Sequence, residues 1–205
     1  MLAALTTEHF VLQTANNSTY SEASARSTLY VMALSSSLVA MGFVAGSTDL
    51  LVPFAAISLP AIFVLGIFTI VRLVESALES MQYLTGIARI RGYYRTLGPE
   101  AARHFAPEYG RWPEMEPPAL RFGSGIAFFG TTASMIAVIN NVVAGVGVAL
   151  LARFLSPSAP SWVGAVAGIA GALILTWLFY AYQRWRFADY DARAKQHAED
   201  ADSAL

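Results

Sequence analysis

Residues 162–183 read WVGAVAGIAGALILTWLFYAYQ, with no Asp, Glu, Lys or Arg among them. As a helix, about 20 such residues cross the ~30 Å hydrocarbon core of a bilayer. The run is not an isolated one. Residues 27–48, 50–71, 122–152 and 154–183 are all free of those four residue types. A backbone in lipid finds no water to bond its amides and carbonyls, so a chain crossing it is a helix or a closed barrel. The runs lack the alternation of barrel strands. They predict four transmembrane helices over about 28–46, 53–74, 125–151 and 162–184.

The composition agrees. Hydrophobic residues make up 56% and charged residues 13% of the 205 positions, against about 25% charge in soluble domains. Mean hydropathy is +0.50. The net charge of -1 gives no electrostatic reason for a nucleic-acid partner. Cysteine is absent, which removes disulfides, thiolate metal sites and cysteine nucleophiles. The first residues, Met1-Leu2-Ala3-Ala4-Leu5, lack a basic region, so no cleavable leader is expected.

Basic residues orient the spans. Arg26 precedes the first span. Arg72 lies at the end of the second span, Arg89, Arg91, Arg95, Arg103, Arg111 and Arg121 lie between the second and third, and Arg184, Arg186, Arg193 and Lys195 lie at or after the end of the fourth. The first short loop carries none and the second only Arg153. The positive-inside rule then predicts a multi-pass protein of the cytoplasmic (inner) membrane with both termini and the central loop in the cytoplasm. Trp162, and Tyr180, Tyr182 and Trp185, mark the two ends of the fourth span, where amphipathic rings sit at headgroup level.

The expected fold is all-α: two transmembrane hairpins with cytoplasmic helical extensions. The divisions are a cytoplasmic N-terminal helical segment (1–26), a first hairpin (27–75), a stalk helix and connector (76–121), a second hairpin (122–184) and a C-terminal helix and tail (185–205). Asn16-Asn17 is expected to close the N-terminal helix. Thr19 and Glu22 fit a capping box that would restart helix near Ser21. Pro53 suits the opening of the second span, and Pro60 deletes a hydrogen bond within it. From Glu75 to Leu97 no proline intervenes and apolar residues recur at helical spacing, so the second helix is expected to run on as a stalk until Gly98-Pro99. Pro99 to Phe105 suits one or two further turns. Four prolines within 106–118 read as an irregular connector, and Glu199 to Asp202 as a frayed acidic tail.

No enzyme signature is present. His9, His104 and His197 are scattered, and the single lysine, Lys195, excludes a phosphate-binding loop. The expectation is a protein without catalytic activity, metal or cofactor. Its candidate residues are polar and small positions inside the spans. Gly130, Ser134, Ala137, Asn141 and Ala144 form a 4-3-4-3 stripe that would admit a neighbouring helix with left-handed crossing. Asn140 and Asn141 either bond between helices, at about 0.6 kcal/mol each, or line a polar path. Asn141 is expected to be the packing residue and Asn140 the pore candidate. Gly164 and Gly168 permit close helix contact, within one subunit or between two. Arg89, Arg91 and Arg95, interleaved with Tyr93 and Tyr94, could meet anionic headgroups or a ligand, or simply form a solvated helix face.

Leu5 to Gln13, Ser21-Glu22 with Arg26 to Tyr30, and Gly86 to Tyr94 together resemble a family of uncharacterised bacterial four-span membrane proteins. A short helix, a tight two-span hairpin and an arginine-rich helix also look like two-span effector modules of bacterial conflict systems, which implies a pore-like role. This chain differs from those modules by its second hairpin and the lack of a sensor domain. The functions expected are a homo-oligomeric channel-like protein, or a membrane-anchored scaffold that binds a cytoplasmic protein. The partners expected are the lipid bilayer, further copies of the chain and, in the scaffold reading, that cytoplasmic protein, with no nucleic acid.

Overall fold

The computed structural model describes residues 1–105 and 130–203, with side chains as far as 196. The described residues form helices and turns with no strand: α1 (Leu2–Val44), α2 (Thr48–Arg95), α3 (Pro99–His104), α4 (Thr132–Leu155) and α5 (Ser161–Ser203). Four of them, α1, α2, α4 and α5, are long and apolar enough to cross a membrane. The connector 106–118, Arg111, Arg121 and the expected start of the third span at 125 lie outside the described residues.

The side-chain distribution is that of a lipid-facing protein. Large apolar residues point outward on every long helix: Phe43, Ile57, Phe68, Leu173 and Trp177 are among the exposed ones. Thr69, Ser134, Asn140, Asn141 and Gln183 are buried. In water, so much continuous apolar surface would aggregate. In hydrocarbon it costs nothing, while a lone amide does. This distribution argues against two buried hairpins of a soluble protein.

The chain divides into two compact units, Met1–Ala25 with Glu75–Thr131, and Arg26–Val74 with Thr132–Leu205. In the first unit, α1 packs on the C-terminal half of α2. A Cβ at Gly86 would meet Leu12 Cδ1 at 2.9 Å, so the missing side chain is what lets Leu12 settle there. The Ser80 hydroxyl donates to Asn16 Oδ1 at 2.7 Å, and both residues are buried. At the end of α2, Tyr94 meets the Phe105 ring at 5.3 Å between centroids, and the Arg91 guanidinium lies 5.8 Å from that ring's centre. Gly98 makes the corner with φ 156°, a conformation L side chains rarely adopt.

Several expected boundaries shift. The N-terminal segment does not close at Asn16-Asn17 and restart at Ser21: α1 is one helix from Leu2 to Val44. The reason is tertiary. Asn16 finds its partner in Ser80 rather than in local backbone, and the Thr19 hydroxyl bonds back to the Ala15 carbonyl at 3.0 Å instead of capping. The second helix starts at Thr48, not at Pro53. The Ser47 carbonyl accepts from the Leu50 and Leu51 amides, so the first turn forms upstream of the proline. Beyond Glu75 the stalk is helical to Arg95, slightly short of Gly98-Pro99, with the Thr96 amide and hydroxyl both bonded to the Tyr93 carbonyl. The C-terminal helix continues to Ser203, so the acidic stretch is helix rather than a frayed tail.

Candidate functional site

The polar residues of the second unit sit where helices meet. α4 and α5 form an antiparallel hairpin joined by residues 156–160. The glycines set its closest approach. A Cβ at Gly145 would lie 2.6 Å from the Gly168 carbonyl oxygen, and one at Gly168 would lie 2.5 Å from that of Gly145. A Cβ on Gly164 would meet the Ala149 carbonyl at 3.0 Å. Of the two arrangements the glycine pattern permits, the structure shows contact within one chain.

Two polar pairs extend the same seam. Asn141 Nδ2 donates to Thr176 Oγ1 at 3.1 Å, and that hydroxyl donates onward to the Ala172 carbonyl at 2.8 Å. Nearer the ends of the spans, Ser134 Oγ and Gln183 Oε1 are 3.5 Å apart, and both side chains are almost fully buried. Ser134, Asn141, Gly145 and Ala149 on α4 thus face Gln183, Thr176, Ala172 and Gly168 on α5. The later steps are of four residues on both helices, the spacing of right-handed small-residue contacts. Ser134 and Asn141 of the expected 4-3-4-3 stripe take part in this contact, but beyond Asn141 it continues in steps of four rather than along the stripe. Gly130 lies exposed before α4 begins, and Gly145 and Ala149, absent from that stripe, carry the approach.

Asn140 points elsewhere, since adjacent residues on a helix lie about 100° apart. Its Oδ1 accepts from the Tyr30 hydroxyl of α1 at 3.2 Å, and its Nδ2 donates to the Phe63 carbonyl of α2 at 3.3 Å. It sits in the space that a side chain on Gly66 would fill: a Cβ there would overlap Asn140 Oδ1 and Cγ. Tyr30 and Asn140 are each 0% exposed. One amide therefore ties three spans together, and it is fully buried. Sequence reading passed over Tyr30, Gly66, Thr176 and Gln183. An amide deep in a span signals that a partner exists, but only the fold selects which phenol, hydroxyl or glycine supplies it.

The candidate arginines, Arg89, Arg91 and Arg95, fall in the first unit. Arg89 is exposed and Arg91 half-buried against Phe105, while Arg103 on α3 is exposed. Arg95 is half-buried and engaged with neighbouring groups. The buried atoms His9 Nδ1, Ser58 Oγ and Ser76 Oγ have no hydrogen-bond partner among the described residues. No group of three His, Cys, Asp or Glu side chains among the described residues is placed to hold a metal ion. No protein-family model, curated protein or solved structure matches this chain.

Proposed function

We propose that this protein is a membrane-anchored scaffold. Its four spans hold a helical layer at the cytoplasmic face, and that layer recognises an acidic protein partner. The supporting observation is how the deep polar side chains are used. Asn140, Asn141, Ser134 and Gln183 all meet partners within one chain. A conducting path needs polar groups facing water at membrane depth. The residues turned outward from the spans are mostly apolar. This favours the scaffold over the channel-like alternative.

The partner surface in this proposal is the basic end of the first unit. Arg89 and Arg103 are exposed, and Arg91 is braced by Phe105, which limits the side-chain entropy lost on binding. Guanidinium groups so placed suit carboxylates, through paired N–H donors.

Two measurements test the proposal. The purified full chain in liposomes should give no ion flux above empty liposomes. Photo-crosslinkers at Arg89 and Arg103 in intact cells should give one defined protein adduct. That protein should bind the purified chain more weakly at high salt and not bind R89E/R103E. Flux abolished by Asn140→Leu would overturn the scaffold and restore the channel.

A further inference from the structure

The outward face of α5 changes character along its length. Ile174, Trp177 and Leu178 are exposed and apolar. Next along the helix, Ala181, Arg184, Trp185 and Ala188 are all exposed. Steps of three and four residues put these four on one patch of the helix surface. Arg184 and Trp185 stand side by side across it, about 100° apart, with an alanine at each end. The whole patch belongs to the second unit.

Depth and charge single the patch out. The charge-free run 162–183 is about 33 Å long as helix, close to the ~30 Å hydrocarbon core. Arg184 and Trp185 follow it at once, so they fall in the headgroup layer, about 5–8 Å thick on each side. The other arginines at this end of the unit are already answered. Arg186 meets Asp189 at 3.3 Å, and Arg193 shares that carboxylate at 2.9 Å. Arg26 and Arg72 are engaged with neighbouring groups. Arg184 has no ion pair or hydrogen bond with any described residue. Trp185 is 61% exposed. The Tyr182 ring lies 6.3 Å from it between centroids, and the Arg186 guanidinium 5.8 Å from its centre. Both stand on the side of Trp185 away from Arg184. They brace the indole and leave its other side open to the patch.

We infer that Arg184 and Trp185 hold the phosphate of an anionic phospholipid. The order of surfaces along the helix is that of a lipid molecule. An acyl chain lies against Ile174, Trp177 and Leu178, and the small side chain of Ala181 leaves room for the glycerol. The phosphate then reaches the guanidinium and the indole N–H, both of them donors. A guanidinium grips phosphate through paired N–H groups. A free phosphate ion would leave the apolar strip unused, which is why the occupant is a lipid. The headgroup is anionic because a zwitterionic one answers its phosphate with its own ammonium, whereas Arg184 has no counter-charge in its chain. The next acidic side chain on this face, Asp191, is seven residues on, about 10 Å along the axis and past the headgroup layer. This inference rests on the four spans and is independent of the scaffold proposal.

Lipid competition tests it. The full chain in detergent is offered equal amounts of phosphatidylglycerol and phosphatidylcholine with identical acyl chains, and bound lipid is counted by native mass spectrometry. The unmodified chain should retain phosphatidylglycerol over phosphatidylcholine. R184Q should lower that ratio about fivefold, the effect of one basic residue at an anionic surface. R184K, which keeps the charge, should restore most of it. R193Q removes the same charge about 14 Å further along the helix, beyond the ~10 Å screening length, and should leave the ratio nearly unchanged. No preference in the unmodified chain overturns the inference. So does an equal loss in R184Q and R193Q, which would make the attraction one of overall charge. Loss of helical content in R184Q would show Arg184 to be structural and would overturn it too.

Discussion

Asn140 shows how a single amide becomes a structural element when hydrocarbon surrounds it. Replacing it with leucine strands the Tyr30 hydroxyl in a site with 0% exposure. The expected loss is about 1–2 kcal/mol, above the ~0.6 kcal/mol average for membrane hydrogen bonds, because the donor left behind is unsatisfied. Asn141→Leu should cost less. Thr176, its partner, already donates to the Ala172 carbonyl and keeps that bond. Unfolding in mixed micelles would rank the two, and an equal loss would contradict the assigned roles. The glycines provide a matching contrast. Gly66→Ala forces a methyl into Asn140 and should destabilise by about 1–3 kcal/mol, as overpacking does. Gly92→Ala meets nothing within 4 Å and should be neutral or gain up to about 1 kcal/mol from helix propensity. The same unfolding assay reads both.

At the scale of elements, α1 is where local signals and tertiary structure disagree most. Asn16-Asn17 and the Thr19–Glu22 pattern favour a break by propensity alone, since Asn and Thr compete with the helix for backbone bonds. Burial reverses that preference by giving Asn16 a hydroxyl partner on α2. A proline at Asn17 separates the two possibilities. In a loop it would be tolerated; within a continuous helix it should cost about 3 kcal/mol or more. We expect Asn17→Pro to lower helical content and thermal stability of the purified protein, and a neutral outcome would return the break to this position. The α4–α5 hairpin was legible as two spans with a glycine pattern on the second. The face α4 presents was legible only in part, through Ser134 and Asn141, because Gly145 and Ala149 stand out only once their opposite numbers, Gly168 and Ala172, are known.

For the molecule as a whole, the outward apolar surface and inward polar pairs belong to a multi-pass membrane protein. Its orientation rests on the placement of the basic residues. Reporter fusions at the N-terminus, after Arg103 and at the C-terminus should therefore read cytoplasmic, and fusions near Asp49 and Ser158 should read external. An external reporter after Arg103 would invert the topology and remove the proposed partner surface from the cytoplasm.

What the amino-acid sequence determined by itself is the fold class, the number of spans and the helical stalk beyond the second. These follow from one-dimensional quantities: the length of charge-free runs, the absence of proline between Glu75 and Leu97, and helical spacing. Only the tertiary structure decided that α1 is unbroken and that α4 meets α5 through Gly145 and Gly168. It alone joined Asn140 to Tyr30, Phe63 and Gly66. Those outcomes depend on pairings between residues far apart in the chain. A buried polar group must find a partner, but its own identity and neighbours do not say which distant helix will bring one.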